Sequence, residues 1–173
     1  MLINDKTVPA LHPDQLFADG LVYLNTAQWA LAYAAFTQLR NDKKNQSPSL
    51  LYNMALCHVF AKEHQKAIAV LEEALMLLAA PSWSSQSAGH LPEPLLTQEY
   101  QSNHHYLALN ETAVALHSTI VKLRIRRLLV DLHLELQNWQ EVLRLSSLPG
   151  MEKCKNVIEA CTIAKTKINT STE

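Results

Sequence analysis

Apolar positions in this chain recur at helical spacing, in blocks separated by short polar breaks. From Leu51 to Leu75 (LYNMALCHVFAKEHQKAIAVLEEAL), small residues stand at Ala55, Ala67 and Ala74 and large apolar ones at Leu51, Met54 and Leu71. Two antiparallel helices need this arrangement if their backbones are to approach closely while the bulkier side chains interlock. The polar stretch Lys62 to Gln65 supplies the turn. An earlier block has the same design. After a His12-Pro13-Asp14 start suited to a helix N-terminus, the spacing predicts one helix from about Asp14 to Asn25. A second runs from Gln28 to Arg40, with Leu31, Ala32, Ala35, Phe36 and Leu39 at helical spacing.

These blocks repeat in register. Gly20, Tyr23, Ala32 and Phe36 each lie 35 residues before Ala55, His58, Ala67 and Leu71. A degraded third copy follows, in which Leu129, Val130, His133 and Val142 lie 75 residues after Met54, Ala55, His58 and Ala67, one repeat of 35 plus an excess of 40. The central block resembles the tetratricopeptide repeat (TPR) family, whose pattern is W-x2-L-G-x2-Y, then A-x3-F, then P, over about 34 residues. The matching positions are Leu51, Met54, Ala55, His58, Ala67, Leu71 and Ala74, with Pro81 two residues later than the pattern expects. The first copy departs at Asp19, where a buried Leu is expected, and at Leu39 in place of a small residue.

The expected fold is all-α: an α-solenoid of tetratricopeptide-like helix pairs with an irregular insertion and a C-terminal capping helix, in a single domain over 1–173. Repeat 1 spans about 14–41, repeat 2 about 48–80, the insertion 81–110, the degenerate repeat 3 about 111–147 and the capping helix 151–168. Asn41 to Pro48 is a polar loop, with Ser47 or Pro48 starting the next helix. Pro81 to Pro94, rich in Ser and Pro, is expected to be irregular and anchored by Trp83 and Leu91. A helix is expected over Leu95 to Leu109, with Asn110 as the N-cap of a long buried helix from Glu111 to Gln137, which holds no Pro or Gly. Trp139 to Ser146 follows as a short helix stopped by Pro149-Gly150. The last helix, Met151 to Ile168, puts Cys154, Val157, Ile158, Cys161, Ala164 and Ile168 on one face and Lys153, Lys155, Glu159, Lys165 and Lys167 on the other. That polarity suits a cap on the open end of a repeat stack.

Composition narrows the functional classes. With 173 residues, 48% of them hydrophobic, 3 Gly and 7 Pro, the chain can bury one sizeable core and has few sites for the tight turns of an all-β fold. A net charge of −1 gives no general attraction for nucleic acid or an anionic membrane. The longest uncharged apolar run, Ala74 to Ala80, is far short of the roughly 20 residues of a membrane helix. The start MLINDKTVPALHPD lacks a secretory signal pattern, and the expected location is cytoplasmic.

The chemistry-bearing residues point away from catalysis. Among 8 histidines, His104-His105 is the most conspicuous pair, with Glu99 and His117 near in sequence. Adjacent helix residues diverge by about 100°, so they rarely share one ion, and no metal site is expected. His58 and His133 stand where the family has Tyr and read as packing or hydrogen-bonding side chains. Cys154 and Cys161 lie two helical turns apart, roughly 10 Å of rise, too far for a direct disulfide. No Gly-rich phosphate loop, G-x-S-x-G elbow or H-E-x-x-H is present, so neither an enzyme nor a cofactor is expected.

The resemblance implies a non-catalytic protein-protein interaction module, with a peptide or protein segment bound in a concave groove lined by the first helix of each repeat. Asn53, Leu56 and Phe60 are expected to look outward there. Lys122 and Arg126, four apart in the cluster Lys122-Leu-Arg-Ile-Arg126-Arg127, have the Lys-x3-Arg spacing with which the family's chaperone-binding members grip an acidic C-terminus. The register set by Leu129 puts Arg124 or Leu128 at the matching places, and Phe17 and Leu21 replace the first-repeat Lys and Asn. The cluster is therefore either a docking point for a partner with an acidic end or a solvated helix face. Two other readings stand beside the module: a small secretion-type chaperone of similar repeat architecture, and a helical enzyme or ligand carrier with a site under 81–94. A buried polar pocket lined by Glu99, His104 and His117 would favour the carrier.

Overall fold

The computed structural model of the chain describes residues 12–80 and 91–170, and these contain helices and no strand. We number the helices α1 (Pro13–Asn25), α2 (Trp29–Arg40), α3 (Pro48–Phe60), α4 (His64–Ala79), α5 (Glu93–Gln101), α6 (Glu111–Leu116), α7 (Ser118–Glu135), α8 (Trp139–Ser146) and α9 (Lys155–Thr170).

Three helix pairs, α1–α2, α3–α4 and α7–α8, are built on one turn. In each, the chain leaves the first helix through a non-glycine residue in the left-handed region: Ala27, Lys62 and Gln137, at φ of 60°, 62° and 56°. The next N–H reaches back five residues to a helix carbonyl, from Gln28 to Tyr23 at 2.8 Å, Glu63 to His58 at 2.9 Å and Asn138 to His133 at 2.9 Å. This is a Schellman closure, which satisfies carbonyls that the helix end would otherwise leave unpaired. The carbonyls of Gln28, Glu63 and Asn138 then accept bonds from Ala32, Ala67 and Val142 in the second helix. The three turns stand at the offsets of 35 and 75 that the sequence repeats.

Side chains at matched positions do matched work. Ala32, Ala67 and Val142 in the second helices, and Ala55 and Val130 in the first, are completely buried where the paired helices approach. At the remaining matched position a Cβ on Gly20 would run into the Phe36 ring, so α1 and α2 are as close as glycine permits. Helix α2 packs on α3 and α4 packs on α7, so the pairs follow one another directly across the residues inserted between α4 and α7. Helix α9 covers α7 and α8. Helix α3 lies at the centre, with every residue from Pro48 to His58 buried. Ser47 caps it, its Oγ accepting from the Leu50 N–H, and Pro48 fills the first helical position.

The insertion and its flanks differ from expectation. The expected helix from Leu95 to Leu109 stops at Gln101; a short 3-10 turn, His104–Tyr106, follows, and the chain then runs extended to Asn110. The helix ends there because its Glu99 carbonyl, with that of Ser102 just beyond, is taken by the Arg127 guanidinium. Asn110 does cap a helix, its Oδ1 accepting from the Ala113 N–H at 2.7 Å. The expected single helix from Glu111 to Gln137 is broken at His117 (φ −137°, ψ 48°). The break serves two packing demands, since α6 lies on α3 while α7 lies on α4. The cap begins as a 3-10 turn, Met151–Lys153, and its helix buries Val157, Ala160 and Ala164, whereas Ile158, expected on the same face, is 50% exposed. The expected Trp83 anchor lies outside the described residues. Among the described residues no helix is long and apolar enough to cross a membrane.

Candidate protein-binding surface

Residues 103–110, a 3-10 turn followed by an extended stretch, lie across α3 and α7, on the face where a bound segment was expected. Asn53 grips them by the backbone: its Nδ2 donates to the Leu109 carbonyl at 2.7 Å and its Oδ1 accepts from the Leu109 N–H at 2.9 Å. Tyr52 donates its hydroxyl to the His105 carbonyl. Burial pushes the Tyr52 phenol well above its ordinary range, so it stays a donor. From α7, the Asp131 carboxylate accepts from His105 Nε2 at 2.8 Å and from the Tyr106 hydroxyl at 2.9 Å. Its other oxygen accepts from Asn156 Nδ2 of α9 at 2.8 Å.

The basic cluster divides by the direction its side chains point. Arg124 and Arg127 turn inward. Arg124 makes a two-pronged pair with Glu99 of α5, Nε to Oε1 and Nη2 to Oε2, both at 2.7 Å. Burial pushes the Glu99 carboxyl up, but the Arg124 guanidinium, and after it the His104 ring at 3.1 Å, more than offset this and hold it below the usual carboxylate range. Arg127 is completely buried and donates to the Glu99 and Ser102 carbonyls and to Asn156 Oδ1. Lys122 and Arg126 turn the other way, are half-buried, and form no ion pair among the described residues. Arg126 borders an apolar cleft of about 250 Å³ with Leu96, Tyr100, Leu123 and Pro149.

The expected groove residues therefore have different fates. Asn53 and Leu56 do not look outward: both are completely buried, because the chain's own residues 103–110 and neighbouring helices cover α3. Phe60 is partly exposed and stacks on Trp29, ring centroids 4.1 Å apart. His58 Nδ1 pairs with Glu63 at 2.7 Å, the residue that opens the next helix. His133 meets Asn138, its equivalent, at 3.4 Å. Sequence reasoning missed Tyr52, Asp131 and Asn156; Tyr52 stands in a strongly apolar helix, whereas Asp131 and Asn156 stand among charged neighbours that give them no distinct signal.

Two further hollows adjoin this surface. A cleft of about 500 Å³ lies beside α1, floored by Phe17, Leu21, Leu39 and Leu50 and edged by Lys44 and Glu111. A smaller one, about 240 Å³, is lined by Glu99, His104, His117 and Arg124 with Leu95 and Ile120. Among the described residues no three His, Cys, Asp or Glu side chains converge where they could hold a metal ion. Burial pushes the thiols of Cys57 and Cys154 up to about 12 and about 11, the opposite of an activated nucleophile. Compared with protein-family models, curated proteins and solved structures, the chain matches none.

Proposed function

We propose that the chain is a non-catalytic protein-binding module: three TPR-like hairpins stacked as a short solenoid, closed by α9, that holds a segment of another protein along its concave face. What supports this reading is how residues 103–110 are held. Asn53 and Tyr52 bind them mainly through backbone groups, a chemistry that suits any extended chain. The open part of the same face is the cleft beside α1, where Phe17 and Leu21 offer apolar area to a partner. Lys122 and Arg126 add charge for a partner with an acidic end. The test is to recover partners by affinity purification from the native cell, then titrate the purified partner against the unmodified chain, Leu21→Glu, and Lys122→Glu combined with Arg126→Glu, at two salt concentrations. Leu21→Glu should weaken binding by about tenfold or more, and the double reversal should weaken it and flatten its salt dependence. Full affinity in Leu21→Glu would remove the cleft beside α1 from recognition, and full affinity in the double reversal would remove the Lys122–Arg126 side of α7.

A ligand carrier is the second reading, favoured by the hollow lined with Glu99, His104 and His117. Its volume of about 240 Å³ falls below the roughly 300–1,000 Å³ of pockets for drug-sized ligands. Glu99 is also already committed to Arg124 and His104. Mass spectrometry of the solvent extract of natively purified protein decides it: a stoichiometric small molecule would put the carrier first.

A further inference from the structure

Residues 103–110 cover α3 and bury Leu109 in the core, but they do not link the helix pairs to one another. Helix α4 packs directly against α7 across the insertion, so the order of helix contacts does not pass through these residues. Their hold is a set of side-chain clasps reaching from α3 and α7, together with the burial of Leu109. The clasp is imperfect. Among the described residues, four buried side-chain polar atoms have no hydrogen-bond partner, and three of them, Ser102 Oγ, His105 Nδ1 and His117 Nδ1, belong to this segment and its surroundings. A buried polar group left unpaired is a net cost, so His105 Nδ1 works against the clasp that holds its own residue. By contrast the α3–α4 seam is apolar, with Ala55, Ala67, Leu71 and Ala74 completely buried.

We propose that the seat of residues 103–110 is a peptide-binding surface held shut by the chain's own segment, and that the partner it fits is a segment carrying an imidazole-phenol pair in a single turn followed, three residues on, by an aliphatic side chain in an extended stretch. The chemistry is read from the present occupant. Asp131 selects two adjacent donors, as His105 and Tyr106 supply, and Asn53 reads the backbone of the position where Leu109 is buried. This rests on the protein-binding reading for the role of the partner, but the closing and opening of the seat can be measured without one.

The first measurement is amide hydrogen exchange of the full chain. The Leu109 N–H is bonded to Asn53 Oδ1, so its exchange reports release of the segment. It should exchange at least about tenfold faster than the Leu56 amide of α3, corrected for intrinsic rates, through a local opening. The second is titration with a synthetic peptide of residues 102–110, Ser-Asn-His-His-Tyr-Leu-Ala-Leu-Asn. Leu109→Ser removes the segment's own buried anchor and should bind the peptide at least about tenfold more tightly than the unmodified chain. Adding Asn53→Ala should abolish that gain. Leu109 and Leu56 amides exchanging in step, or a folded Leu109→Ser chain with no gain in peptide affinity, would overturn the proposal. If Leu109→Ser does not fold, the exchange comparison alone decides. A fast Leu109 amide with no recoverable partner would keep the closed seat and discard the module.

Discussion

Helix α3 is buried on two sides by opposite means. Toward α4 it meets small and large apolar side chains in alternation, with no polar atom needed at Ala55, Ala67 or Leu71. Toward residues 103–110 it offers Tyr52 and Asn53, whose polar atoms must be answered one by one. The first side gains from area and shape, so its stability is spread over many contacts. The second concentrates stability in a few hydrogen bonds, each costly to break and each dependent on exact positioning of a distant part of the chain.

The contrast can be broken most severely on the apolar side. Ala67→Phe should force α3 and α4 apart at a cost of about 3 kcal/mol, lowering the melting temperature by about 6–12 °C for a domain of this size. An unchanged melting curve would take Ala67 out of the seam. On the polar side, Asn53→Ala leaves the buried Leu109 N–H and carbonyl unanswered and should cost about 2 kcal/mol. The loss should appear as faster amide exchange in residues 103–110 with α3–α4 exchange little altered; uniform loss across the chain would show that the two sides are one cooperative unit.

Acid should act through a few titrating side chains and leave the apolar α3–α4 seam itself untouched. Burial pushes His105 below the ordinary histidine range, against the pull of Asp131. Glu99 likewise lies below its ordinary range, where Arg124 and His104 outweigh its burial. In both cases the unfolded chain is the better proton binder. The stability from His105 is full above about pH 6.5 and is lost as pH falls through its folded value; Glu99 adds a second loss beginning below about pH 4.3. Burial shifts His133 in the same direction as His105 and contributes to the first step. Melting measured from pH 7.5 to 5 should therefore decline, and the part of the decline missing in His105→Gln belongs to the seat. A decline unchanged in that variant would assign it all to His133. The smallest effect is a gain. Lys62 holds a left-handed conformation that glycine adopts freely, so Lys62→Gly should raise stability by about 0.5–1 kcal/mol in a denaturant titration. A loss would mean that the Lys62 side chain contributes contacts of its own.

The same contrast explains what was legible in the sequence. The hairpins could be read because their packing depends on residue size at short, repeating intervals: Gly20, Ala32, Ala55 and Ala67 announce close helices by themselves. The path of residues 102–110 could not. His104-His105-Tyr106-Leu107-Ala108-Leu109 carries no helical or strand period, and its conformation is decided by Asn53, Asp131 and Arg127 at sequence separations of 56, 26 and 25. The basic cluster was ambiguous for a related reason. Helical geometry separates Arg124 and Arg127 from Lys122 and Arg126, but only the position of Glu99 shows which pair faces inward. A usable clue was present in Asn53, since a polar side chain amid a run of apolar helix residues demands a partner. The sequence could not say that the partner would be the chain itself.

Asn156 carries a consequence for the order in which the molecule assembles. It joins Arg127 to Asp131 from α9, and these two residues in turn hold Ser102, His105 and Tyr106. On a growing chain the first two hairpins can close as soon as residue 79 has emerged, since their contacts are local. Residues 103–110 are synthesised soon after, yet their seat is finished only when α7 and then α9 arrive. During that interval the clasping face of α3 stands open, and the segment that will close it waits unplaced while the last third of the chain is made.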